Sequence, residues 1–160
     1  MSKDAIAPRE VTSLAELVQD VTVKLNGVTF YKVAAEISPD IEVENPDIGE
    51  LIPTYSLRLL HEGDEIGARL ALHLDSDIGQ VDIDIAANYV TPQPIVLSRE
   101  IHLEFANEVA IMALIPFVRE AVWSMTQRVF GQAVVMPVMQ RGEISFTPEM
   151  KSDDTLSESD

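Results

Sequence analysis

Three histidines, a run of carboxylates and a few serines are the residues of this sequence whose types could do chemistry. His61, His73 and His102 are the candidate metal ligands and general bases. None sits at a ligand spacing, although a hairpin between them would bring His61 and His73 together; a zinc site needs three or four converging donors. Glu100, Glu104 and Glu108 recur every four residues and share one face of a helix. A di-iron bundle requires Glu-x-x-His on facing helices, and that pattern is missing, so the expectation is a solvated carboxylate stripe. Ser56, Ser98 and Ser124 have no histidine placed to activate them, and G-x-S-x-G, H-E-x-x-H, G-x-G-x-x-G and Walker loops are absent. Without a single cysteine the chain has no thiolate nucleophile, thiolate metal site or disulfide. These residues predict no enzyme, no metal and no cofactor.

Charge and composition narrow the remaining classes. The chain has 160 residues and is 46% hydrophobic, enough for one domain with a sizeable core. Against 11 basic residues stand 27 acidic ones, a formal net charge of -16. That field repels phosphate backbones and anionic membrane surfaces, and it attracts basic patches and cationic unfolded chains. Met1–Glu10 lacks the apolar core of a signal peptide. The most apolar run, Val109–Val118, is interrupted by Pro116 and falls short of the roughly 20 residues that span a bilayer. The expectation is a soluble cytoplasmic protein that inserts into no membrane.

The elements follow from hydrophobic periodicity. Leu14, Leu17 and Val18 fit a short helix capped by Thr12 or Ser13. Alternation through Val21, Val23 and Leu25 predicts a strand that resumes after Asn26-Gly27 by way of a bulge and runs to Ile37. Residues 38–53 read as a long polar loop. Three further alternating rows follow: Tyr55, Leu57, Leu59; then Ile66 to Leu74; then Val81, Ile83, Ile85, with Asp82 and Asp84 on the opposite side. Glu62-Gly63-Asp64 and Ser76–Gly79 supply the turns. The pattern predicts a four-stranded antiparallel meander with one apolar and one polar face. Ser98 is positioned to cap a helix running to about Ala113, and Pro116 to open a second that closes at Gly131. The fold class is therefore α+β, an antiparallel sheet followed by a long, proline-divided helical region that covers it.

Within that frame, Leu114-Ile115-Pro116-Phe117-Val118-Arg119-Glu120 is the most specific stretch. It resembles the helix start of the SecB family of protein-export chaperones: an apolar pair, proline, an aromatic, a small residue and Arg-Glu. Ser124-Met125 and Arg128 continue the likeness, and Val135-Met136-Pro137-Val138 resembles the family's Leu-x-x-Pro-Val segment. Upstream, Tyr55–Leu59 and the rows as far as Ile85 match the family's second to fourth strands in spacing. The likeness spans roughly residues 21–146. Gly142 and Pro148 stand where the family has a further helix, and Leu72-His73 falls where it has a partner-binding acid.

The resemblance implies a homotetramer, a dimer of dimers, that holds unfolded polypeptides without ATP. Its groove would be lined by Phe117, Phe130, Val135, Met136, Val138, Met139 and Phe146. The oligomer interface would use Val118, Val122, Trp123 and Met125, and Asp82 and Asp84 would form a partner-docking acidic face. Clients would be preproteins for export through the Sec motor ATPase. The alternative within the family is an antitoxin of a toxin–antitoxin system, and the alternative outside it is an acidic adaptor that docks one folded partner. The domain plan is a flexible N-terminus over residues 1–11, one SecB-like domain over 12–150, and a disordered acidic tail over 151–160.

Overall fold

A computed structural model of the protein describes residues 6–40, 48–49, 51–136 and 140–146. The acidic tail expected over residues 151–160 lies outside these. Four long strands, β2 (Lys24–Ile37), β3 (Ile52–Glu62), β4 (Glu65–Asp75) and β5 (Gly79–Val90), form one antiparallel sheet. Two short strands, β1 (Arg9–Val11) and β6 (Ile95–Leu97), pair in parallel as a separate ribbon. β1 thus ties down part of the segment that composition alone marks as loose. Between β1 and β2, Glu16–Asp20 makes a single π-helical turn whose Leu17 is fully buried. Thr22 then turns the chain into β2 with φ 60°, a left-handed conformation that costs a β-branched residue about 1–3 kcal/mol.

The strand order is β2-β5-β4-β3, so the first long strand lies beside the last and the sheet is not a simple meander. Burial explains the arrangement. Every second residue of β4 and β5 is almost fully enclosed, from Ile66 to Leu74 and from Val81 to Tyr89. β5 also buries Ala86 on its other face, so it needs a neighbour on each side. The loop after Ile37 is long enough to carry the chain across to β3. The outcome is a Greek-key connection read in the reverse chain direction. The bulge expected near Asn26 is present between Leu25 and Gly27, and a second one lies between Phe30 and Lys32.

The sheet's apolar face is covered by one continuous helical rod, Arg99–Val129. It comprises α1 (Arg99–Phe105), a π-helical turn (Ala106–Ala110) and α2 (Ile111–Val129). Ser98 caps it by accepting from the Ile101 amide at 3.2 Å. The rod does not divide at Pro116, which sits inside α2. An interior proline costs about 3 kcal/mol. Ile111, Leu114, Ile115 and Val118 flank it on both sides and are all buried; at about 1.5–3 kcal/mol each, their burial outweighs that cost. The rod is long and apolar enough to cross a membrane by length and composition, yet half of its most apolar window is buried within the fold.

His102 fastens the start of the rod to the sheet. It is buried, its Nε2 lies 3.0 Å from the Gly67 carbonyl, and His61 meets it edge-on at 6.2 Å between ring centroids. His61 and His73 do not approach each other, because they stand on opposite faces: His61 is level with Ile66, and His73 is level with Asp82.

Two measurements test this packing. A Cβ at Gly79 would overlap the Glu36 carbonyl oxygen, whereas one at Gly27 meets nothing within 4 Å. Gly79→Ala should therefore lose about 1–3 kcal/mol in urea denaturation, and Gly27→Ala should stay within about 0.5 kcal/mol of the parent. Burial also pulls the pKa of His102 down to about 4 from an ordinary 6.5. Between those values the unfolded chain takes up a proton that the folded one refuses. Stability should be held above pH 6.5, fall by about 3 kcal/mol toward pH 4 and level off below it. Subtracting the profile of His102→Gln isolates this component from the carboxylates; identical profiles would show that His102 does not carry it.

Candidate functional site

The outer face of the sheet, turned away from the rod, carries the charged residues. Cross-strand pairing sets out its rows: Arg58 opposite Arg69, Arg69 level with Ala86, and Lys32 opposite Asp84. Arg69 donates through Nε and Nη2 to both carboxylate oxygens of Asp84, each at 2.7 Å, and stacks 3.8 Å from the Tyr31 ring centroid. The bidentate bond holds Asp84 below the usual carboxylate range and raises Arg69. Asp82 lies 2.7 Å from His73 Nδ1 and 3.8 Å from Lys32 Nζ, while Asp75 lies 3.1 Å from His73 Nε2. These carboxylates, Asp82 first, raise the pKa of His73.

Thr54 and Ser56 line the same 250 Å³ hollow as His73. Both ring nitrogens of His73 face carboxylates, however, so neither is left to take a hydroxyl proton. No group of three or more potential metal ligands converges among the described residues. Asp82 and Asp84, the expected acidic docking face, are present on the exposed side of the sheet, but each is engaged by a basic partner.

The apolar surface is larger. On the edge strand β2, Leu25, Phe30, Val33 and Ile37 face the same side as the core yet extend past its cover, and each is 39–48% exposed. On α2, Phe117 and Trp123 are 43% and 50% exposed, and Val135 just beyond the helix is 71% exposed. Trp123, Val135 and Met136 border a 300 Å³ hollow with Pro116, Arg119 and Glu120.

The residues singled out in the sequence divide between surface and core. Phe117, Val135 and Trp123 are exposed, and Met125 is half-buried. Val118 and Val122 are enclosed in the protomer's own core, because α2 turns the Ile111–Leu114–Val118–Val122 stripe onto the sheet. Phe130, Met136 and Phe146 are also buried, packed against that core. Val138 and Met139 lie outside the described residues.

Two polar side chains missed by periodicity hold described parts of the chain after α2. Thr126, fully buried on α2, donates to the Val122 carbonyl at 2.7 Å and accepts from the Val134 amide at 2.8 Å. Asn107, in the π turn, donates to the Phe146 carbonyl at 2.8 Å and accepts from the Phe146 amide at 2.9 Å. Their signal in the sequence is faint: a lone amide and a lone hydroxyl on otherwise apolar helical stripes.

No family model matches the sequence, and no curated protein matches it. Among solved structures, the SecB-like chaperone Rv1957 of Mycobacterium tuberculosis, in complex with a ChAD peptide from the HigA1 antitoxin Rv1956, superposes with a TM-score of 0.64. The alignment is 17% identical and covers 74% of this chain and 91% of that one. A protein of unknown function from Streptococcus agalactiae aligns at 12% identity and a TM-score of 0.38 over 72% of this chain and 97% of its own. The four-stranded antiparallel sheet and the long helical rod thus form an α+β fold that resembles that of a SecB-like chaperone.

Proposed function

We propose that this protein is an ATP-independent chaperone that holds unfolded polypeptides, with an antitoxin as its client in preference to a preprotein for export. The SecB-like fold, matched over nearly the whole of a chaperone seen with a bound antitoxin peptide, carries the proposal. The exposed apolar residues of β2 and α2 supply the means. Each client side chain buried on them contributes about 1.5–3 kcal/mol, and several sites on one assembly add through avidity.

The outer sheet face favours the antitoxin over export. A basic segment of a motor ATPase would need free carboxylates to dock. Asp84 is held bidentately by Arg69, and Asp82 is shared between His73 and Lys32. Taking either acid away from its cation leaves a charge to be compensated.

The same reading assigns the protein to the cytoplasm as a homotetramer, a dimer of dimers. The edge of β2, with its row of exposed apolar residues, is suited to one isologous interface and the Trp123 side of α2 to the other.

Three outcomes are expected. Dilution of a chemically unfolded enzyme into buffer should scatter less light when the protein is present at stoichiometric amounts, with or without ATP. Scattering unchanged across several unrelated clients, together with tight binding of one folded protein, would replace the chaperone by an adaptor. An aggregation-prone antitoxin should stay soluble on co-expression, and the Sec motor ATPase should not co-purify. Trp123→Asp should lower the mass measured by light scattering in line with loss of one interface while leaving the thermal midpoint within a few degrees.

A further inference from the structure

Asparagine is a labile side chain in water, most of all when glycine follows it, because no Cβ then hinders the next backbone nitrogen from reaching its carboxamide. The sequence has one such pair, Asn26-Gly27. Its other three asparagines are less favourably followed: Asn45 by a proline, which has no N–H, Asn88 by tyrosine and Asn107 by glutamate. The fold separates them further. Asn88 donates to Thr29 Oγ1 at 3.2 Å, and Asn107 holds both the amide and the carbonyl of Phe146. Asn26 is exposed, and no hydrogen bond to a described residue fixes its carboxamide.

The backbone at Asn26 is also irregular. The ladder pairs Leu25 with Tyr89 and Gly27 with Asn88, so Asn26 is the extra residue of the bulge and stands opposite nothing. In a regular strand the extended backbone carries each side chain away from the next nitrogen; a bulge bends the chain and leaves its extra residue out of the ladder. A Cβ built on Gly27 would meet nothing within 4 Å, so the space in which a ring would close is open. Asn26 borders a 590 Å³ hollow with Glu62, Glu65 and Asn88.

We propose that Asn26 is a self-modification site, at which the folded protein deamidates through a succinimide formed with Gly27. Hydroxide removes the Gly27 amide proton, and the nitrogen bonds to Cγ of Asn26. The Cγ–Nδ2 bond breaks, and Nδ2 leaves as ammonia with a proton from water. Water then opens the five-membered ring at one of its two carbonyls. Opening at Cγ gives aspartate; opening at the backbone carbonyl gives isoaspartate, whose main chain runs through Cβ and Cγ. Overall one water is consumed and one ammonia released, and nothing is oxidised or reduced.

The change falls where β2 already accommodates an extra residue. Isoaspartate lengthens the main chain by one atom, which a bulge absorbs more readily than a continuous pair does. Either product places a new carboxylate near Glu62 and Glu65 and beside Leu25, which is 48% exposed at the sheet edge. Ageing thus adds negative charge to an apolar edge of a chain already at -16, and marks old molecules without unfolding them. The site is independent of the polypeptide-holding reading.

The test keeps the full chain in warm, mildly alkaline buffer and samples it over several weeks. Anion exchange, intact mass and peptide mapping follow the reaction, and labelling by an isoaspartyl carboxyl methyltransferase detects isoaspartate. A more negative species, heavier by just under a dalton, should accumulate, with the change at Asn26 while Asn88 and Asn107 remain amides. Its rate should lie within about tenfold of that in the same chain unfolded in guanidinium chloride. Gly27→Ala, which fits the open space, should slow the reaction at least tenfold and leave the thermal midpoint within a few degrees. If Asn26 stays intact in the folded protein but converts in the unfolded chain, the sheet protects the bulge and the proposal is overturned. Conversion first at Asn88 or Asn107, or an equal rate in Gly27→Ala, overturns it as well.

Discussion

Everything in this structure answers to the apolar face shared by β4 and β5. Leu70, Ile85 and Ala87 are wholly removed from solvent, and the rows on either side of them are nearly so. Two adjacent strands with such rows cannot stand at a sheet edge or face water, since each exposed side chain would forgo about 1.5–3 kcal/mol. They therefore occupy the centre, pushing β2 and β3 to the edges. They also require a cover as long as themselves, and the continuous rod from Arg99 to Val129 provides it. The proline inside that rod and the π turn ahead of it are tolerated because breaking the cover would cost more than either irregularity.

Central burial leaves the edges incompletely served. β2 and β3 each hydrogen-bond on one side only. Their inward residues are covered only in part: Leu25, Phe30, Val33 and Ile37 on β2 stay 39–48% exposed, and Tyr55, Leu57 and Leu59 on β3 are part-buried. Tyr55 shows the strain of this border most directly. Its hydroxyl is buried without a hydrogen-bond partner among the described residues, and burial raises its pKa. An incompletely covered edge in a monomer is a liability that proteins blunt with bulges, charge or a partner. The two bulges in β2 do part of this, and an apolar row remains exposed along the strand.

Periodicity made much of this legible. Alternation located all four long strands and the turns between the last three, and it assigned Asp82 and Asp84 to the polar face, because side-chain direction in a strand depends only on parity. The Ser98 cap was equally readable, since its bond is local. Strand order was not, because period two says which way a residue points and nothing about its neighbour. The helical break was misplaced for a related reason. Proline carries a strong local penalty, and the tertiary burial that outweighs it on both sides of Pro116 has no local signature. For the candidate site, Phe117, Trp123 and Val135 stand on the surface, while Phe130, Met136 and Phe146 are enclosed. Composition marked all six as apolar; the face of α2 on which a residue falls, and for the chain after it the hydrogen bonds of Thr126 to Val134 and Asn107 to Phe146, separate the covered from the exposed.

The acidity of the chain acquires a physical role once its sticky surface is located. A protomer that exposes Phe30, Val33, Phe117 and Trp123 would self-associate indiscriminately if it were neutral. A net charge of -16 opposes approach between copies, but over about 8–10 Å at physiological salt the repulsion is screened. It therefore discourages loose, wet encounters more than close-fitting ones, where buried apolar area grows rapidly with fit. Unfolded chains, which adapt their shape and carry basic residues, meet a lower barrier than a rigid copy of the same acidic protein does. The outer sheet face sharpens the contrast, because pairing Asp84 with Arg69 and Asp82 with His73 and Lys32 cancels charge there. The uncompensated acids then act as a general screen around the apolar surfaces.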